Sequence, residues 1–140
     1  MTLVISTASW HGLTARHRLP ELARSVLEGV LFNLAYFVEI LEQTSDEHAD
    51  EIVLSGNGFR ETEAPRILAS ILTAKVWIPS APGLASLRGA AICAIRGLKH
   101  PEPALAVMEV PAAGEPELAE RYRKYKQLRS TEGARYFPSL

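Results

Sequence analysis

The turn Ser55-Gly-Asn-Gly58 holds the residues best suited to ligand chemistry. It follows the apolar run Glu51 to Leu54 and precedes a helical pattern that starts near Glu61. A strand, a glycine turn and a helix in this order bring backbone N–H groups against a nucleotide. Glycine also permits positive φ and leaves no Cβ in the path of a ligand. The turn predicts either a nucleotide contact or a plain chain reversal, and both interpretations stay open at this point.

Other chemical motifs give no catalytic or metal-binding candidate. The four histidines are scattered at His11, His17, His48 and His100, with no spacing that places two of them on one helical face. A zinc site is therefore not expected. The chain also lacks the Gly-x-x-x-x-Gly-Lys-Ser/Thr phosphate loop. We expect no catalytic residue and no metal ligand in this chain.

Composition is that of one globular domain in the cytoplasm. The 140 residues are 47% hydrophobic and 22% charged, which argues against disorder. A net charge of −1 gives no basis for nucleic-acid binding, and charged residues interrupt every long apolar stretch, so no membrane span is expected. The single cysteine, Cys93, fits a reducing compartment. Its neighbours Ala91, Ile92 and Ala94 predict a buried packing residue.

Helical periodicity predicts four helices. The longest starts at Pro20 and ends near Gln43, and its apolar positions recur at helical spacing, which predicts a core helix. Those positions are Leu22, Val26, Val30, Leu34, Val38 and Leu41. Shorter helices are predicted over 61–72 and 85–96, with Gly97 as a C-cap, and a terminal helix over 116–129.

Two short apolar runs predict parallel strands. These are Ile52–Leu54 and Lys75–Ile78, each preceded or followed by a helix, as in βαβ units. Residues 99–116 are predicted to be a linker or an extended crossing segment, in which 104–108 is a strand or extended. Two parallel strands make a poor free-standing core. We therefore expect an exposed strand edge and an exposed apolar face on the long helix. Either self-association into a homo-oligomer covers this surface, or the protein is only marginally stable.

Four blocks, in order, carry a resemblance to a known family. They are Trp10-His-Gly-Leu-Thr14 with the stretch from Leu22 to Leu34, then Ser55–Gly58 with Arg66–Ala69, then Ala85–Ala94, then Tyr122-x-x-Tyr125. Together they resemble the C-terminal part of the FGGY carbohydrate kinases, close in pattern to the gluconate and xylulose branches. The resemblance spans roughly Trp10 to Leu128.

The resemblance implies a partial α/β domain of the actin-like, ribonuclease-H-like ATPase plan. Residues 1–140 would be the later half of the ATP-side domain of such a kinase. The general base, the sugar contacts and the phosphate loops would lie outside this chain, with the missing N-terminal kinase domain as a natural partner. ATP and Mg²⁺ are implied for the full enzyme, and none is required by this chain alone. The implied function is to contribute the adenosine-binding wall of a kinase that transfers a phosphoryl group from ATP to a sugar or polyol hydroxyl. The alternative is a non-catalytic, stand-alone interaction or nucleotide-binding module.

The resemblance also implies a nucleotide site at Gly56, Asn57, Gly58, Arg60 and Gly89. Asn57 departs from the family pattern, which has glycine there, and Asn is the residue that best tolerates left-handed φ after glycine. Gly89 predicts either close helix packing or a ligand contact, and Arg60 either a phosphate or ribose contact or a solvated side chain. Binding by this chain alone is expected to be weak, because the triphosphate would lack its contacts. Glu28-Gly29 resembles a further family signature. We interpret it as tight helix packing at Gly29 and a Glu28 carboxylate whose hydrogen-bonding groups have partners.

Overall fold

A computed structural model describes residues 10–60 and 63–136, with side chains described as far as residue 130. Four helices and three strands alternate along the chain: α1 (Leu19–Ser45), β1 (Glu51–Val53), α2 (Glu63–Ile71), β2 (Lys75–Pro79), α3 (Ala85–Gly97), β3 (Val107–Glu109) and α4 (Glu117–Tyr136). Two single 3-10 turns follow the parallel strands. We name them the β1 turn (Asn57–Phe59) and the β2 turn (Pro82–Leu84).

The predicted parallel pair is confirmed, but the sheet has a third strand. β1 and β2 run parallel with Ile52 opposite Val76, and β3 adds antiparallel to β2 with Met108 opposite Ile78. The sequence left residues 104–108 open as a strand or an extended segment, and Val107–Glu109 is a strand. β3 pairs along the second edge of β2, and the ladder continues where the Val110 N–H donates to the Val76 carbonyl at 2.8 Å. That pairing satisfies backbone groups that two strands would have left open.

The core lies between one face of the sheet and helices α1, α2 and α4. The ten buried apolar residues at its centre are Leu31, Phe32, Ala35, Leu54, Ala64, Ile67, Leu68, Val76, Leu118 and Tyr122. Alternation along the short strands turns Leu54 and Val76 toward the helices. On α4, Leu118 and Tyr122 are four residues apart and therefore share one helical face.

The buried face of α1 is not the one that its apolar periodicity indicated. Leu31, Phe32 and Ala35 are buried, whereas the predicted core positions Val26 and Val30 are 53% and 64% exposed. The reason is that α1 is apolar around most of its circumference, so spacing alone does not choose a face. We call the exposed positions the α1 stripe: Val26, Val30, Leu34, Phe37 and Leu41. The expectation of an exposed apolar face on this helix is confirmed.

A network of ion pairs joins α1 to α2 and α4. The Glu28 carboxylate is only 6% exposed and accepts hydrogen bonds from Arg24 at 2.7 Å and from Arg121 at 2.9 Å. Arg24 also donates to Glu63 on α2 and to Glu115 just before α4. The prediction of a satisfied carboxylate at Glu28 is confirmed.

Tight helix packing at Gly29 is not seen. A Cβ built on Gly29 would meet no atom within 4 Å. A larger side chain would therefore fit at this position. A lack of space next to α1 does not explain why residue 29 is glycine.

Helix α3 stands apart from the core. It has no buried residue, and the β2 turn leads directly into it. Cys93 is exposed, so the prediction of a buried packing cysteine was wrong, because the face of α3 that carries it is not covered. Gly97 is the last helical residue rather than the C-cap. The left-handed residue that follows is Lys99, with φ of 56°.

The described helices include none that is both long and apolar enough to cross a membrane.

Candidate functional site

A cleft of about 630 Å³ opens at the carboxyl ends of the parallel strands β1 and β2. This edge of an α/β sheet is where such folds bind ligands. Its floor comes from the strand ends, one wall from α3, and the rim from the segment that leads to β3. The lining residues are Val53, Ser55, Pro79, Ser80, Ala81, Leu84, Ala85, Leu87, Arg88, Gly89, Ala91, Ile92, Glu102, Pro103 and Leu105.

The β1 turn takes its shape from Gly56. Gly56 has φ of 113°, a backbone conformation that side chains with a Cβ rarely adopt. Its N–H donates to the Pro82 carbonyl at 2.7 Å, and its carbonyl accepts from the Phe59 N–H at 3.2 Å. The Gly56 N–H is therefore used inside the protein and links the β1 turn to the β2 turn.

Asn57 does not adopt the left-handed conformation that we expected its type to tolerate. Among the described non-glycine residues, positive φ occurs at Asp46 and Lys99. The positive φ of the turn occurs at Gly56 instead, the residue before Asn57. A side chain at position 57 is therefore compatible with the backbone of the turn.

Gly89 lies in the wall of the cleft, on the first half of α3. A Cβ built there would meet nothing within 4 Å, so the close helix packing that we weighed at this position is absent. The missing side chain leaves open space on the cleft side of α3.

The polar groups of the cleft are few. Arg88 spans from α3 to the rim, where its Nη2 donates to the Ala104 carbonyl at 2.9 Å and to the Pro103 carbonyl at 3.3 Å. The hydrogen bond and charge of the Arg96 guanidinium lower the pKa of Glu102 below its usual range. Glu102 is thus an ionised acceptor and not a proton donor at neutral pH. With Ser55 and Ser80, these groups suit binding and offer no acid–base pair.

The structure brings some of the predicted site residues together and leaves others outside. Gly89 and Ser55 line the cleft, whereas Gly56, Asn57 and Gly58 form the adjoining turn. Arg60 ends that turn with an exposed side chain and is not part of the lining.

Sequence reasoning missed the second half of the site. Its members are the β2 turn, Leu87 and Arg88 on α3, and the rim around Pro103. One signal pointed to them. Pro79-Ser-Ala-Pro82-Gly follows the second parallel strand as Ser55–Gly58 follows the first, and the carboxyl ends of parallel strands share one edge of the sheet.

No metal centre is present within the part of the chain that the structure describes. There, no three histidine, cysteine, aspartate or glutamate side chains stand close enough together to hold an ion. A smaller depression of about 330 Å³ at the end of α1 gathers several acidic side chains. In it, the carboxylate of Glu42 is already paired with His48 at 2.9 Å.

Comparison with known protein families gives one match. The model of the FGGY family of carbohydrate kinases, C-terminal domain, matches residues 5–98, which are 94 of the 140 residues. The matched part contains the β1 turn, the β2 turn and Gly89, and it ends before β3, α4 and the tyrosine block. A search of curated proteins found no match. The FGGY C-terminal domain is an actin-like ATPase domain, and FGGY kinases use ATP and Mg²⁺. The family model covers two thirds of this chain. The chain therefore belongs to the FGGY family of carbohydrate kinases, within the C-terminal domain.

Proposed function

We propose that this chain forms the adenosine-holding wall of an ATP-dependent carbohydrate kinase. The observation that carries the proposal is the cleft at the ends of β1 and β2, because the glycine turn that resembles the family's adjoins it and Gly89 leaves an open position in its wall. Both features lie inside the residues matched to the family.

The shape and lining of the cleft suit a flat, mostly apolar ring. Its volume of about 630 Å³ is in the usual range for small-ligand pockets, and Leu84, Leu87 and Ile92 supply apolar surface. Ser55 and Ser80 at the strand ends offer hydroxyl groups to the polar edge of a ring or a ribose. Nucleoside binding through a few polar groups in an apolar cleft follows from this arrangement.

The lining of the cleft offers little to a triphosphate or to the Mg²⁺ that it carries. Glu102, its one carboxylate, is paired with Arg96, and Arg88, its one arginine, donates to backbone carbonyls. In the proposal, ATP would supply the phosphoryl group that the complete kinase transfers, and Mg²⁺ would neutralise the charge on its phosphates. Their phosphate contacts, the sugar and the general base belong to kinase segments other than this chain, which acts as one part of a cytoplasmic enzyme.

The proposal predicts that the 140-residue protein does not phosphorylate sugars by itself. Coupled ADP release measured against a panel of sugars and polyols tests this. We expect the rate with the wild-type chain to equal that of a Gly58→Trp control. Turnover clearly above that control would contradict the proposal that the general base and the phosphate contacts lie outside this chain.

A non-catalytic interaction module is the second candidate, and the α1 stripe favours it. Five apolar side chains from Val26 to Leu41 are 37–66% exposed along one helix, a pattern typical of a surface covered by another protein surface. The two candidates are compatible, since a kinase wall must also dock to the rest of its enzyme.

A further inference from the structure

The rim of the cleft is a short bridge between the end of α3 and the start of β3. We define the rim as residues 101–105, which follow the part of the chain matched to the family. Three of its residues, Glu102, Pro103 and Leu105, line the cleft, and none of the five is buried. The rim therefore forms one side of the cleft without packing into the core.

Backbone hydrogen bonds hold the rim at its two ends. Before it, the His100 N–H donates to the Ile95 carbonyl of α3 at 3.1 Å. After it, the Ala106 carbonyl accepts from the Ser80 N–H at 3.1 Å. Among the described residues, no backbone-to-backbone hydrogen bond involves the rim itself. The middle of the rim is therefore held by side chains.

Two arginines of α3 supply those side chains. Nη2 of Arg88 donates to the Ala104 carbonyl at 2.9 Å and to the Pro103 carbonyl at 3.3 Å. About two turns further along α3, the Arg96 guanidinium makes two hydrogen bonds to the Glu102 carboxylate. The Arg96 side chain is 67% exposed and lies outside the cleft lining. Since exposed ion pairs contribute little, we expect Arg88 to hold the rim more firmly than Arg96 does.

Arg88 lies on the face of α3 that is turned toward the cleft. The half-buried residues of α3 are Ala85, Arg88, Ile92 and Ile95, which recur at helical spacing and share one face. Arg88 is the one charged side chain on that face. Partial burial and two carbonyl acceptors, 15 and 16 positions away in the chain, fix its guanidinium at the rim.

We propose that Arg88 is a positioning residue that, assisted by Arg96, holds the rim in place as one side of the nucleoside cleft. The binding of a nucleoside there rests on the proposed function, whereas the fixing of the rim concerns the protein without ligand. A released rim would withdraw Pro103 and Leu105 from the cleft. A bound nucleoside would then lose apolar contact area and bind more weakly.

NMR measurements on the 140-residue protein test this role in two steps. Order parameters of the rim amides are measured without ligand for the wild type, Arg88→Met and Arg96→Met, and each protein is then titrated with adenosine. Methionine keeps an unbranched apolar side chain and removes every hydrogen-bond donor. Arg16→Met, which changes an exposed arginine ahead of α1 and outside the cleft lining, is the matched control.

We expect Arg88→Met to lower the order parameters of the rim from about 0.85 to below about 0.6, and Arg96→Met to lower them less. Arg88→Met should weaken adenosine binding on the order of threefold, the effect of returning about 25 Å² of apolar surface to water. Arg96→Met should weaken binding by a smaller factor, and Arg16→Met should match the wild type in both measurements.

A rim that stays ordered in either variant would overturn the proposal, as would a loosened rim with unchanged adenosine affinity. Because Arg96 does not line the cleft, weaker binding by Arg96→Met would act through the rim. Weaker binding by Arg88→Met alone, with the rim loosened in both variants, would make Arg88 a direct ligand contact and also overturn the proposal. Arg96→Met changes an exposed side chain, so it carries the test if Arg88→Met does not fold.

The two steps separate failure of this role from failure of the proposed function. If no protein, the wild type included, binds adenosine while both variants loosen the rim, the nucleoside site is wrong and the arginines still hold the rim. If the wild type binds adenosine and the rim stays ordered in Arg88→Met, the nucleoside site stands and the positioning role is wrong.

Discussion

Arg121 on α4 holds the carboxylate of Glu28 on α1 through two hydrogen bonds of 2.9 Å each. The two residues are 93 positions apart in the chain, and Glu28 is nearly fully buried. A bidentate arginine–carboxylate pair fixes orientation as well as distance. This contact sets how the terminal helix lies on the long helix, and Arg24 reinforces it from within α1.

Replacing Glu28 should destabilise the protein through the arginines that it leaves behind. Glu28→Gln removes the charge but keeps the shape, so Arg24 and Arg121 lose one of the two carboxylates that they share and keep Glu115. Both arginines retain some solvent contact and other partners, so we expect a loss of about 2 kcal/mol, below the value for a fully buried pair. Urea denaturation measures the change. Glu47→Gln, which changes an exposed carboxylate beyond the end of α1, is the control and should leave the midpoint unchanged. Equal midpoints for Glu28→Gln and wild type would contradict a structural role for the network.

The free energy of unfolding should fall in acid because two carboxylates ionise more readily in the folded protein than in the unfolded chain. They are Glu120 on α4 and Glu115 just before it. A hydrogen bond from Arg123 lowers the pKa of Glu120 to about 2. Partial burial opposes ionisation of Glu115, but the hydrogen bonds and charges of Arg24 and Arg121 outweigh it and lower its pKa. A depressed folded-state pKa stabilises the protein above the unfolded value of about 4.5 and ceases to do so as pH falls through the folded value. Urea midpoints should therefore drop between pH 4.5 and pH 2. Midpoints that are flat over this range would contradict the ion-pair assignments.

Sequence periodicity identified all four helices and both parallel strands, but not which face of α1 is buried. Glu28 lies on the buried face, where a charge is not expected until its partners Arg24 and Arg121 are known. Arg121 comes from the other end of the chain, so no local pattern contains the information. The apolar α1 stripe therefore looked like the core from sequence alone.

The candidate site was predictable in part for a similar reason. Ser55–Gly58 could be picked out as a glycine-rich local pattern, and Gly89 could be picked out through the resemblance to the family. The rim around Pro103 depends on how β3 returns antiparallel to β2, a long-range pairing that no local pattern specifies. The hydrogen bond from the Gly56 N–H to the Pro82 carbonyl likewise joins residues 26 positions apart, in two turns that meet at one edge of the sheet.

The α1 stripe should drive self-association. Its apolar side chains are large and lie on one face of a 27-residue helix, so pairing with a second copy would remove them from water. We expect sedimentation to give a dimer or larger species, and Val30→Lys with Leu41→Lys to shift it toward the 15.4 kDa monomer. Leu98→Lys changes a comparably exposed leucine just after α3 and should leave association intact. A wild-type monomer across a wide concentration range would contradict this prediction.

The most direct test of the nucleoside cleft is an NMR titration of the 140-residue protein with adenosine and, separately, with ATP. We predict weak binding of similar strength for both, on the order of millimolar or weaker, because the triphosphate gains few charge-assisted hydrogen bonds here. Amide shifts should centre on Gly56, Gly58 and Gly89. Gly89→Leu should abolish binding without loss of stability, whereas Gly29→Leu, an equally open helical glycine outside the cleft, should leave binding intact. Shift changes clustered elsewhere, or ATP binding far more tightly than adenosine, would contradict the account.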